Sequence, residues 1–161
     1  MNIIFIIIGI IIFGLIAILV VSTIKGNKLL SRMKYEMPDG YILFRKYTTG
    51  ILFTKKEPYD TGLHVHVAAS NGREIDSYLK SYLRGINVDF DKIEPLASDI
   101  QGWTVCEDSG ISYGKEIYIR IHYAIMPGKL VIVILKTDVN NPEDGIEEAG
   151  QLINSIRFEN E

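Results

Sequence analysis

Three histidines are the side chains of this sequence best suited to hold a metal ion. His64 and His66 stand two apart in a segment that alternates as a β-strand does, so both point to one side. His122 lies in another predicted strand, and three imidazoles that converge would suit zinc or copper. No cysteine or carboxylate completes the site by its spacing, and histidines on a solvated strand face are the ordinary alternative. We therefore expect no cofactor and keep this metal site as a minor hypothesis.

The single cysteine is a weak candidate for a nucleophile. Glu107 and Asp108 directly follow Cys106, and their negative charges disfavour a thiolate. The Gly-x-Ser-x-Gly pattern occurs once, at residues 110–114 (GISYG), where turn chemistry explains both glycines, and the sequence has no phosphate-binding loop and no dinucleotide fingerprint. We therefore predict a protein that is not an enzyme, in which Cys106 is a structural thiol.

Acidic side chains are concentrated between residues 87 and 108. This segment holds six acids and one base, Lys92. A focused negative surface steers a basic protein partner, whereas an ordinary solvated loop is the alternative interpretation. The acids that we predict to contact a partner are Asp89, Asp91, Glu94, Asp99, Glu107 and Asp108.

Aromatic side chains crowd the first predicted hairpins, and those that are exposed would form a second surface for protein binding. The sequence does not tell which of them are exposed. They are Tyr35, Tyr41, Phe44, Tyr47, Phe53 and Tyr59.

An uninterrupted apolar run opens the chain, from Ile3 to Val21. A helix needs roughly 20 residues to cross the ~30 Å hydrocarbon core of a bilayer. We therefore predict a transmembrane anchor over residues 1–24. A cleaved signal peptide is the alternative, but the run is long for one and Val-Val-Ser-Thr is a poor cleavage site. Representative anchor side chains are Ile3, Phe5, Phe13, Leu15 and Val21.

A basic cluster follows the anchor, namely Lys25, Lys28, Arg32 and Lys34. By the positive-inside rule, this cluster favours a cytoplasmic domain on a single-pass protein of the cell membrane. A periplasmic or extracellular domain stays open, since a lone cysteine does not identify the compartment. We interpret residues 25–32 as a juxtamembrane tether, loosest near Gly26, whose cations contact anionic lipid headgroups.

The remaining residues, 33–161, suffice for one domain with a core of its own. The formal charge of −3 falls entirely on the chain beyond the anchor. Such a domain is a poor match for nucleic acid, because counterion release requires a concentrated basic surface. The predicted partners are therefore the lipid bilayer and another protein.

Periodicity and turn residues predict an α+β domain with a mainly antiparallel sheet flanked by two helices. A continuous apolar run, Leu130–Leu135, predicts a central strand that is covered on both faces. A turn or bulge is expected at Ser109-Gly110. The predicted strands are 33–37, 41–47, 51–55, 63–69, 103–107, 116–125 and 129–137, and the helices begin near Asn71 and Asn141.

Three phrases of this sequence resemble the PsbP-like family, including bacterial DcrB-type proteins. They are residues 35–41 (YEMPDGY), the closing strands over 116–137, and residues 152–158 (LINSIRF). The resemblance implies the PsbP-like fold and a mostly non-enzymatic role in assembly, envelope function, secretion or toxin neutralisation. This chain departs from the lipoprotein members, since it has a helix in place of a lipidated cysteine.

These observations favour a membrane-anchored, non-catalytic domain that binds another protein. A bacterial immunity protein, which neutralises a toxin, or a secretion-accessory protein is the more specific form of this hypothesis. A small-ligand or metal-binding envelope module is the alternative.

Overall fold

The computed structural model describes residues 3–56, 61–69, 75–84, 88 and 93–159. Within these ranges a long N-terminal helix precedes an antiparallel sheet and two short helices. The elements are α1 (Ile3–Arg32), β1 (Met33–Lys34), β2 (Tyr41–Lys46), β3 (Gly50–Lys55), β4 (Gly62–Ala68), α2 (Ile75–Arg84), β5 (Pro95–Leu96), β6 (Thr104–Ser112), β7 (Lys115–Met126), β8 (Lys129–Asp138), α3 (Ile146–Ser155) and β9 (Arg157–Phe158).

The main sheet of the described chain has seven strands in the order β2-β3-β4-β8-β7-β6-β5, and every neighbouring pair is antiparallel. Short strands β1 and β9 pair separately and join the two ends of the domain. Strand β8 lies at the centre, and Leu130–Leu135 are fully buried, which confirms the prediction for this apolar run. The predicted α+β architecture is confirmed, and the helix expected from Asn71 is described from Ile75 onward.

One face of the sheet, here the first face, carries Val65, Val133 and Leu135 and packs against α3. Leu152 and Ile153 of α3 bury their side chains on it. Alternating side chains of β-strands produce this apolar layer, because residues two apart share a face. The first face is therefore the larger part of the core.

Polar contacts fasten the start of α3 to the first face. The Lys55 ammonium pairs with the carboxylate of Asp144 and lies 3.1 Å from a carboxylate oxygen of Glu148. The Thr61 hydroxyl donates to the second oxygen of Asp144 at 2.7 Å. Gly145 has φ +86°, and a Cβ atom there would lie 2.8 Å from the Tyr41 hydroxyl, so glycine permits this close approach.

The opposite, second face is only partly covered. Helix α2 places Leu79 and Leu83 over Ile119, Ile121 and Ile132. Beyond these residues none of the described part of the chain covers the second face, and a groove lies there.

Helix α1 differs from the prediction, since it continues through residues 25–32, which were expected to form a loose tether. Leu30 is buried in the core, and Gly26 packs against the turn between β2 and β3. A Cβ atom on Gly26 would lie 2.7 Å from the Thr49 Cγ2 atom, so this contact depends on glycine. The tether prediction was wrong because Gly26 and Leu30 give the helix a face that fits the domain.

The apolar part of α1 is long enough to cross a membrane, and over its most apolar window none of it is buried against the described protein. Phe13, Leu15 and Val21 are exposed there. A membrane anchor and a signal sequence both have these properties. Of the basic residues that follow, Lys25, Lys28 and Arg32 are exposed, and Lys34 pairs with Glu159 at 3.2 Å.

Candidate functional site

The open part of the second face forms a groove of about 600 Å³. Its floor consists of residues that face the same side of four adjacent strands, and its walls are aromatic side chains. This volume lies within the range of roughly 300–1,000 Å³ that is typical of ligand pockets. The side chains that line the groove include Phe44, Tyr47, Leu52, His64, Tyr113, Ile117, Ile134 and Lys136.

One wall of the groove is the edge strand β2. The pairing of β2 with β3 is irregular between Leu43 and Arg45, so Phe44 lies at a bulge. Bulges redirect side chains at sheet edges, and Phe44 is 66% exposed. Tyr47, which directly follows this strand, is also exposed, and its ring lies 5.9 Å from that of His64.

The other wall is the tip of the β6–β7 hairpin, where Tyr113 and Gly114 form a two-residue turn between Ser112 and Lys115. Both turn residues have positive φ, 52° and 79°, as a type I′ turn requires. Tyr113 is the only non-glycine residue with positive φ in the described ranges. This conformation costs an ordinary L-residue roughly 1–2 kcal/mol, and burial of the ring does not offset the cost, since Tyr113 is fully exposed.

The polar groups of the groove are held in an apolar setting. Burial, together with the nearby charge of Lys136, lowers the pKa of His64 to about 4, so this imidazole is neutral at pH 7. Burial also lowers the pKa of the half-buried Lys136. The groove therefore offers aromatic and aliphatic surface with a few polar groups, which suits binding.

The three histidines do not converge. His64 and His66 pair with Ile134 and Ile132 and lie on the second face. His122 is opposite Val133 and therefore lies on the first face. The sheet itself separates them, and the described residues contain no cluster of three potential ligands for a metal. The predicted convergence was wrong because the sequence does not specify which face each strand directs inward.

His122 has a structural environment of its own. Its Nε2 atom accepts a hydrogen bond from Arg120 Nε at 3.2 Å, and Arg120 also pairs with Glu107. The proton of the neutral ring therefore resides on Nδ1, which is buried without a partner among the described residues. Burial, with the charge of Arg120, lowers the pKa of His122 to about 4.

The predicted acidic surface is divided. Glu107 points to the first face and is paired with Arg120, whereas Asp108 points to the second face, opposite Ile119. Glu94 and Asp99 are exposed in the segments that precede β6. Asp89 and Asp91 lie outside the described residues. Glu107 and Asp108 thus occur on opposite sides of the sheet, because neighbouring residues of a strand alternate.

The turn predicted at Ser109-Gly110 was wrong, since β6 continues to Ser112. Cys106 is buried, and burial raises the pKa of its thiol.

Sequence reasoning identified some groove residues only as members of a larger aromatic set. Phe44 and Tyr47 are exposed, whereas Tyr41 and Phe53 are buried and Tyr59 lies outside the described residues. Tyr113 was missed. A Tyr-Gly pair between two alternating strands was the available signal, because a two-residue hairpin turn places its first residue at positive φ.

The fold defined by this sheet and its flanking helices is PsbP-like. The solution structure of the cyanobacterial PsbP protein CyanoP, from Synechocystis sp. PCC 6803, matches with a TM-score of 0.53 and 12% identity, over 80% of this chain and 88% of that one. At this identity the similarity shows the fold alone.

Two further solved structures are similar. A crystal structure from Bacteroides thetaiotaomicron VPI-5482 matches with a TM-score of 0.57 and 10% identity, over 81% of this chain and 46% of that chain, so the match spans under half of that protein. LpqN of Mycobacterium tuberculosis, described as involved in cell envelope biogenesis, matches with a TM-score of 0.47 and 13% identity, over 78% and 82% of the two chains. No protein-family model matches the sequence, and no curated protein is significantly similar to it.

Proposed function

We propose that this protein is a membrane-anchored, non-catalytic domain that binds another protein in the groove of the second face. The conformation of Tyr113 carries this proposal. A bulky residue at positive φ is an unfavourable choice for the turn, and its ring gains nothing by burial in the free protein. Strain of this kind concentrates at functional sites, and exposed tyrosine is enriched in protein interfaces.

The opposite wall fits the same role. Phe44 and Tyr47 expose further aromatic surface across the groove from Tyr113. Leu52 and Ile134 supply an apolar floor. A partner segment with two or three apolar side chains would bury these rings together, which is the arrangement of a binding hot spot.

The anchor is supported by the packing of α1. The helix does not end where its apolar run ends; Gly26 and Leu30 extend it into the domain. Lys25, Lys28 and Arg32 directly follow the apolar run, so the positive-inside rule supports a cytoplasmic domain. An alkaline phosphatase fusion after Glu161 would be inactive in a bacterial host for this orientation and active for the reverse one.

Toxin neutralisation or secretion assistance is the more specific form of this function. Glu94, Asp99 and Asp108 remain exposed for a basic partner, while Glu107 is occupied by Arg120. Replacing the exposed acids by their amides should weaken a basic partner and leave an apolar one unaffected.

The test is an affinity pull-down of the full-length chain from detergent-solubilised native cells, followed by mass spectrometry. The groove variant combines Phe44→Ser with Tyr113→Asn. The matched control is Ile111→Ser, because Ile111 is also exposed near the hairpin tip but points to the first face. A partner that is retained by the control and lost by the groove variant supports the proposal. A partner that binds all forms equally contradicts the proposed site.

A small amphipathic molecule is the second candidate ligand, and the groove volume of about 600 Å³ favours it. Native mass spectrometry of the purified chain distinguishes the two candidates. A bound small molecule that disappears in Phe44→Ser would favour this alternative.

A further inference from the structure

We infer that the end of β2 and the turn that follows it lie against the bilayer surface and bind anionic lipid headgroups. This region, the membrane-facing edge, comprises Arg45, Lys46, Tyr47, Thr48 and Thr49. The inference rests on the proposed role of α1 as an anchor and goes beyond the proposed binding of a partner in the groove.

The height of this edge above the hydrocarbon core follows from its contact with α1. A Cβ atom on Gly26 would lie 2.7 Å from Thr49 Cγ2 and 3.3 Å from the Val67 carbonyl oxygen, so turn and helix touch there. Gly26 stands two residues beyond Ile24, the last residue of the predicted anchor, which is about 3 Å along the helix axis. The headgroup layer is roughly 5–7 Å thick on each side. The contact therefore lies within that layer.

The path of the chain beyond α1 sets the orientation of the domain. Gly26 of α1 contacts Thr49, in the turn before β3. Tyr35, which follows α1, contacts Phe53 within β3, with the two ring centres 5.4 Å apart. The chain next enters β2 at Tyr41, which is paired with Lys55 at the opposite end of β3. The chain thus leads from the turn end of β3 toward its other end. The turn end of the sheet faces the membrane, and the tip of the β6–β7 hairpin faces away.

The chemistry of the edge suits anionic lipid. Arg45, Lys46 and Tyr47 are exposed, and the Arg45 guanidinium carbon lies 5.1 Å from the centre of the Tyr47 ring. Tyrosine concentrates at membrane interfaces, and basic side chains near the surface attract acidic lipids. Lys25 and Lys28 are also exposed, on the turn of α1 whose Gly26 contacts Thr49. Four exposed acids, Asp39, Glu116, Asp138 and Glu143, lie at the other end of the sheet, whereas Asp99 is exposed in the loop before β6 at the turn end.

Spin labels on the full-length chain in vesicles of phosphatidylcholine and phosphatidylglycerol test this inference. One label is attached through Thr48→Cys and the other through Tyr113→Cys at the far end, while buried Cys106 stays in place and the unsubstituted chain reports its background labelling. With a nickel-chelating lipid, we expect several-fold stronger relaxation at position 48 than at position 113. Equal relaxation at the two positions would overturn the inference.

Charge reversal tests the role of lipid charge. Arg45→Glu with Lys46→Glu should lower relaxation at position 48, because each lost cation weakens surface attraction about fivefold. The matched control, Lys56→Glu with Lys115→Glu, makes the same change in net charge at the far end and should have no effect. Vesicles of phosphatidylcholine alone should reproduce the loss. If relaxation at position 48 were the same in the two double variants, the proposed binding to anionic lipid would be overturned.

The failure of the anchor would be seen separately. Cleavage of the apolar N-terminal segment in native cells, seen as a lower mass of the chain, would overturn both the anchor and the edge. Release of the chain from the membrane on carbonate extraction would do the same. A chain that stays in the membrane without relaxation at position 48 would overturn the edge alone.

Discussion

The two faces of the central sheet are built from the same strands and yet are covered very differently. Helix α3 and the last turns of α1 pack on the first face, and Lys55, Asp144 and Glu148 fasten α3 there. On the second face, α2 covers one part and an aromatic groove occupies another. In the described chain, one face of the sheet is therefore packed into the core while the other keeps an open aromatic surface.

Element lengths explain much of the difference. Helix α2 has ten described residues, about 15 Å at the rise of an α-helix. Strand β7 has 12 residues and extends about 40 Å. The ten described residues of α2 do not span the whole strand, and the hairpin tip projects beyond that length. Ile117, which packs at the rim of the second-face cluster, and Lys136 are therefore only partly buried by the described residues.

Acid should act on both faces, and it is the largest effect that we expect. Burial lowers the pKa values of His64, His66 and His122 to about 4, so the folded protein binds these protons more weakly than the unfolded chain does. Stability is thus complete above about pH 6.5 and is lost as the pH falls toward about 4, by about 3 kcal/mol for each imidazole. Urea unfolding in detergent at several pH values measures this loss.

Single substitutions assign the acid sensitivity to one face or the other. His122→Gln removes the first-face imidazole, and His64→Gln removes one from the groove. His122→Gln should reduce the loss of stability between about pH 6.5 and about pH 4 by roughly a third, since the three pKa values are similar, and His64→Gln should reduce it further, because the charge of His64 also lowers the pKa of His66. A urea midpoint that is constant over this range in the unsubstituted protein would contradict the buried, neutral state of these histidines.

Leucine truncation compares the faces directly. Leu135 is completely buried on the first face, so Leu135→Ala should cost about 3–5 kcal/mol because it leaves a cavity. Leu52 is half-buried in the groove floor, and Leu52→Ala should cost about 1 kcal/mol or less. Free energies of unfolding from denaturant titration provide the measurement. Equal costs would mean that the groove is closed in solution.

Removal of a charge from the contact between α3 and the first face should lower the stability of the protein by a smaller amount. Burial raises the pKa of Asp144, but hydrogen bonds from Lys55 and Thr61 outweigh it and hold the pKa below its ordinary value. Asp144→Asn removes the charge from a largely buried pair and should cost about 2 kcal/mol. Glu159→Gln is the control, because the Lys34–Glu159 pair is mostly exposed and should contribute little. Similar losses in both variants would contradict a specific role for the buried pair.

How much the sequence predicts also differs between the faces. The central strand and its burial follow from the apolar run 130–135, and the antiparallel order follows from turns and alternation. The groove does not follow from the sequence in this way, because its existence depends on how far α2 reaches along β7 and on the bulge at Phe44. The histidine site failed for a related reason, since the relative face of His122 is a property of strand register. Spacing within one strand is readable from sequence, whereas register between distant strands is set by tertiary packing.

Tyr113 offers the smallest effect on stability and the sharpest distinction between folding and binding. Asn-Gly is the preferred pair for a type I′ turn, since asparagine tolerates positive φ better than tyrosine does. Tyr113→Asn should therefore stabilise the protein by about 1 kcal/mol, as a shift in the urea midpoint would show, and should weaken binding in the groove. Ile111→Ser, on the other face of the same hairpin, should do neither. Loss of stability in Tyr113→Asn would mean that the ring packs within the protein, and the strained turn would then serve the fold. A more stable variant with weaker binding would mean that the strained conformation of Tyr113 serves the binding of a ligand in the groove.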